Sequence, residues 1–128
     1  MIYDCNLENQ GRDFMLKSEF LNKIESIVES DEATMIYFVF IDSKESIGKG
    51  ECSLYPDDIY LKKNKIVVCE KDPKITYNVS QVYSELEKYD DFEVIVEDIN
   101  GKFFSLDNMI LDVGLNCLII EIPLEDVI

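Results

Sequence analysis

The stretch Phe92-Glu93-Val94-Ile95-Val96-Glu97-Asp98-Ile99-Asn100-Gly101-Lys102-Phe103-Phe104-Ser105-Leu106 decides the fold. Residues two apart share one face of a strand, so Phe92, Val94 and Val96 suit a core while Glu93, Ile95 and Glu97 face the other way. Asn100-Gly101 signals a two-residue hairpin loop, because a type I′ turn needs positive φ at both central positions. The spacing therefore predicts a strand over Phe92 to Ile99 that returns through Lys102 to Leu106. A loop of that length sets Ile95 opposite Leu106 and Glu97 opposite Phe104. The outer face of the hairpin is then expected to carry Ile95, Phe104 and Leu106 among Glu93, Glu97 and Lys102.

Upstream, Val79, Val82, Tyr83 and Leu86 form the buried stripe of a helix expected over Val79 to Tyr89. Asn78 caps it, and Gln81 three residues on completes a capping-box pattern. An earlier helix is expected over Lys17 to Ser30. Its stripe is Phe20, Leu21, Ile24, Ile27 and Val28, its cap is Ser18, and Glu19, Lys23, Glu25 and Glu29 point to water. Thr34 to Asp42 is apolar at nearly every position, as befits a central strand covered on both faces. Ile47 to Tyr55 is a weaker strand, with Gly48 and Gly50 allowing a bulge. After a turn at Pro56-Asp57-Asp58, Ile59-Tyr60-Leu61 leads through a polar lysine turn into a strand over Lys65 to Glu70. A last strand runs from Leu115 to Ile122. No repeat or linker interrupts the chain. The expectation is one globular domain over residues 1–128, of class α+β, with a mostly antiparallel sheet of about five or six strands and two packed helices.

The 128 residues carry 12 Lys and Arg against 27 Asp and Glu, with no His, for a net charge of −15. Direct binding to nucleic acid or an anionic membrane needs clustered positive charge, so neither is expected. Imidazole catalysis is excluded by composition, and no P-loop or calcium-loop spacing survives inspection. No enzymatic activity, metal or cofactor is expected. Lys62, Lys63 and Lys65 make the one basic cluster and read as a solvated turn. Cys5, Cys52, Cys69 and Cys117 form no CxxC pair and read as free thiols, with Cys69 and Cys117 buried in strands. The N-terminal residues show neither a basic n-region nor an apolar h-region, so a cytoplasmic location is expected.

The surplus of acid is uneven. Residues 1–74 hold 15 acidic and 10 basic groups, and residues 75–128 hold 12 acidic and two basic groups. Glu85, Glu87, Asp90, Asp91, Glu93, Glu97 and Asp98 fall within 14 residues. With Ile95 and Phe104 as apolar anchors inside this charged rim, these residues form the expected partner-binding surface. Like charges repel, and folding alone has no use for ten excess negatives in 54 residues.

Small, strongly acidic, α+β and without a catalytic constellation, the chain resembles the immunity proteins of bacterial toxin–immunity systems, including the contact-dependent growth inhibition type. The resemblance is one of general character across the whole chain. It implies a tight 1:1 complex with a cognate cationic toxin domain, a nuclease being the expected kind, and it assigns no residue a role. The alternative is a phage or mobile-element nucleic-acid mimic that inhibits a restriction or RNA-guided nuclease. A mimic should show its carboxylates in two extended rows with few apolar anchors.

Overall fold

A computed structural model describes residues 14–30, 33–41, 52–72 and 75–128. Helix α1 spans Lys17–Ser30 and buries Phe20, Leu21, Ile24 and Ile27 of the expected stripe, while Val28 is partly buried. Ser18 lies inside the helix and is not its cap. The orphan amides of the first turn go elsewhere: the Asp91 carboxylate accepts from the Ser18 amide at 2.8 Å and the Ser18 hydroxyl at 2.9 Å, and Glu19 accepts from the Leu16 amide at 3.0 Å. Two carboxylates at a helix N-terminus also suit the helix dipole. Helix α2 spans Val79–Glu87, two residues shorter than expected, and carries the capping box read from Asn78 and Gln81.

The strands are β1 (Ala33–Ile41), β2 (Cys52–Leu54), β3 (Asp58–Lys62), β4 (Lys65–Cys69), β5 (Glu93–Glu97), β6 (Phe103–Ser105), β7 (Ile110–Val113) and β8 (Asn116–Pro123), followed by a 3₁₀ turn over Leu124–Asp126. Most of the segment Ile47 to Tyr55 lies outside the described residues. The single sheet of five or six strands is corrected to two sheets of four, ordered β2-β1-β8-β7 and β3-β4-β5-β6. Hairpin-type antiparallel pairs predominate, yet each sheet has one parallel pair at its centre. In the first, β1 runs beside β8 from Met35↔Cys117 to Ile41↔Pro123. In the second, β4 and β5 pair in parallel from Lys65↔Glu93 to Val68↔Val96. Parallel neighbours need a crossover connection, and α2 supplies it between β4 and β5. β7 was not anticipated. It is an edge strand with three of four residues exposed, so it lacks an apolar alternation.

One apolar core lies between the sheets and helices. Ile36, Phe38 and Phe40 of β1 and Leu118, Ile120 and Ile122 of β8 meet Ile66 and Val68 of β4 and Val94 and Val96 of β5, together with the helical stripes. At the end of β5, segment Met15–Lys17 extends the sheet: the Lys17 amide donates to the Phe92 carbonyl and the Val94 amide to the Met15 carbonyl, both at 2.8 Å. At the far edge of β6, the Ile128 amide donates to the Phe103 carbonyl at 2.8 Å.

The β5–β6 hairpin differs from the expectation by one residue, with large effect. Its loop is three residues long. The Asp98 amide donates to the Lys102 carbonyl at 2.8 Å and the Gly101 amide to the Asp98 carbonyl at 3.0 Å. The Asp98 carboxylate also accepts from the amides of Asn100 at 2.9 Å and Lys102 at 2.8 Å. Gly101 sits at φ 83°, closing a turn followed by a left-handed glycine. The pairs are Ile95↔Ser105, Val96↔Phe104 and Glu97↔Phe103. A one-residue slip moves every side chain to the opposite face. Phe104 and Leu106, expected outside, are therefore 2% and 0% exposed, and the Phe104 ring lies 4.6 Å from that of Phe40. Phe103 takes the outer position. Phe104→Ala should lower stability by about 3–5 kcal/mol; urea denaturation checks this, and a loss below about 1 kcal/mol would return the ring to the surface.

Candidate functional site: an acidic helical face

The nine residues expected to form one surface are divided among four places. Glu85, Glu87, Asp90 and Asp91 lie along and just after α2. Glu93, Ile95 and Glu97 lie on the outer face of the second sheet. Asp98 sits in the hairpin turn, and Phe104 is in the core. Several of the carboxylates already have work within the fold. Glu85 holds the Lys88 ammonium at 2.6 Å, Asp91 caps α1, Glu93 lies 3.5 Å from Lys65, and Asp98 closes its own turn.

The outer face of the second sheet is closed over by side chains of its own edge strands. Tyr60 of β3 reaches across β4 and donates its hydroxyl hydrogen to Glu97 of β5 at 2.8 Å. Lys62 of β3 reaches further, placing its ammonium 4.1 Å from the centre of the Phe103 ring on β6. Between these bridges lie Val67 and Ile95, 0% and 3% exposed. Ile95 thus points outward, as its alternation required, but is covered and offers no free apolar anchor. Burial, then the hydrogen bond to Glu97 and that residue's charge, push the Tyr60 phenol up to about 12. Nearby, burial and the Asp58 carboxylate push the Cys69 thiol up to about 11, which keeps it a neutral, inert thiol at physiological pH. Cys69 is buried as expected, whereas Cys117 is half-buried. Cys5 lies outside the described residues.

The helices create a different surface. Tyr83, on the α2 stripe, packs its ring against the core yet stays partly exposed. Its phenol pKa is raised first by burial and then by the charges of Glu25, Glu87 and Glu29. Glu25 and Glu29 come from α1 and Glu87 from α2, and all three are exposed. No hydrogen bond or ion pair to another described residue engages them. Packing α1 against α2 therefore gathers, around one amphipathic ring, carboxylates that are far apart in sequence. Among the described residues no three acidic or thiol groups converge as a metal site would require. Glu25, Glu29 and Tyr83 were not among the expected site residues, because counting charge along the chain assigns α1 to the less acidic half. The signal available was the pair of helical stripes, whose packing sets the flanks of both helices side by side.

Comparison with protein-family models, with curated proteins and with solved structures finds no match.

The Tyr60 bridge has a measurable consequence at high pH. A phenol whose pKa is higher in the folded than in the unfolded chain adds stability that is fully present below pH 10 and is lost as pH rises toward 12. Ultraviolet titration should show one late phenol step that disappears in Tyr60→Phe. If that variant titrates like the unmodified chain, the hydrogen bond to Glu97 does not hold the proton.

Proposed function

We propose that this chain is an immunity-type inhibitor that binds and neutralises a cationic partner protein in the cytoplasm, in a 1:1 complex. The partner we infer is a toxin domain with a positively charged, nucleic-acid-handling cleft. The observation that carries this reading is the packing of α1 on α2, which brings the exposed Glu25, Glu29 and Glu87 into the electrostatic neighbourhood of the partly exposed Tyr83. Exposed carboxylates that no described donor engages are open to a partner. Complementary charge speeds encounter by about 10–10³-fold and disfavours wrong partners. A tyrosine adds apolar area with a polar tip at low entropic cost, which is why this residue type recurs at the centre of interfaces. Tyr83 takes the anchoring role first expected of Phe104 and Ile95. Glu87 and Asp90 keep the roles read from the sequence, and Glu85, Asp91, Glu93, Glu97 and Asp98 contribute field rather than direct contacts. Convergence on one ring suits a single protruding cationic feature better than the two long rows that duplex mimicry needs.

The test is affinity capture from cells carrying the native gene, with the intact chain and the triple variant Glu25→Gln, Glu29→Gln, Glu87→Gln in parallel. The intact chain should retain one basic protein, of pI above about 9, in 1:1 ratio. The variant should melt at the same temperature or higher, since like charges are relieved, and associate about tenfold more slowly. A neutral or acidic partner, or equal association by both chains, would overturn the reading.

A further inference from the structure

The lysine turn joining β3 to β4 borders a hollow that the acidic face does not use. Its walls are Lys62, Lys63, Lys65, Ile95, Phe103 and Ile128, enclosing about 220 Å³. The floor is apolar: Phe103 is half-buried, and Ile128 is 63% exposed beside it. The rim is cationic in a chain of net charge −15. The Lys62 ammonium lies over the Phe103 ring at 4.1 Å, and Lys65 is paired with Glu93 at 3.5 Å, which leaves Lys62 and Lys63 as the cations open to a ligand. Lys63 stands at φ 55°, where an L side chain other than Asn or Gly is strained. Asn or Gly would sit there with less strain, and the lysine in its place adds a positive charge to the lining.

We propose that this hollow is a binding site for a small amphipathic monocarboxylate, its apolar body on Phe103 and Ile128 and its carboxylate between Lys62 and Lys63. The volume lies below that of drug-sized sites, which suits a short aliphatic or single-ring acid. The rim sets the sign of the ligand and the floor demands its apolar part. The site lies on the outer face of the second sheet and stands independently of the helical acidic face.

The experiment is an amide chemical-shift titration of the full chain with hexanoate, acetate and hexylamine. Hexanoate should shift Phe103 and Ile128 saturably, while acetate lacks the apolar body and hexylamine has the wrong charge. The double variant Lys62→Gln, Lys63→Asn should weaken hexanoate about fivefold. Lys63→Asn alone relieves the turn, so it should fold at least as stably as the parent and still bind more weakly. Equal shifts with hexylamine would reduce the hollow to a greasy surface. Acetate binding as well as hexanoate, shifts confined to other residues, or unchanged affinity in the double variant would each overturn the proposal.

Discussion

A chain with 27 carboxylates and 12 cations cannot neutralise its acids by ion pairing. This shortage of cations organises much of the structure. Many carboxylates turn to neutral donors, chiefly backbone amides. Asp91 and Glu19 take the open amides at the start of α1, Asp98 those of the β5–β6 turn, and Glu70 the Tyr55 amide at 2.7 Å. Asp57 accepts from the amides of Lys71 at 2.6 Å and of Asp72. Charge-assisted bonds of this kind are stronger than neutral ones and hold turns and helix ends in place. Acidity is thus partly a structural material in this protein, and a count of charges along the sequence overstates what is left for a partner.

Part of what is left is gathered by helix packing. Among the described residues Glu25, Glu29 and Glu87 have no such internal use, and the α1–α2 contact brings them near Tyr83. The opposite character appears on the outer face of the second sheet, where bridging side chains cover Val67 and Ile95 and lysines rim an apolar hollow. The lysine turn is thus a local basic spot on a face that also carries Glu93 and Glu97.

Local signals were legible in the sequence. The stripes of α1 and α2, the Asn78–Gln81 capping box, and the β-branched runs of β1, β4 and β5 each state their structure within a few residues. The division into two sheets was not, because the β1–β8 pair joins opposite ends of the described chain and parallel pairing leaves no turn motif to read. The hairpin register was misread through a competition visible in the residues themselves. Asn100-Gly101 favours a two-residue loop, but Asp98 at the first position of a turn and Gly101 at the fourth suit the three-residue form equally well. The Asp98 carboxylate, by taking two amides, decides between them. That single residue of register moved Phe104 inward and removed the anchor around which the acidic surface had been imagined. Tyr83 was read correctly as part of a buried stripe, and its partly exposed edge became evident only once α1 lay beside α2.

The most direct test of the account is the protection footprint of the chain in complex with its captured basic partner, read by hydrogen–deuterium exchange. Protection centred on the segments that contain Glu25, Glu29, Tyr83 and Glu87 is the result the account predicts. Protection confined to either sheet, with α1 and α2 exchanging as in the free chain, would contradict it.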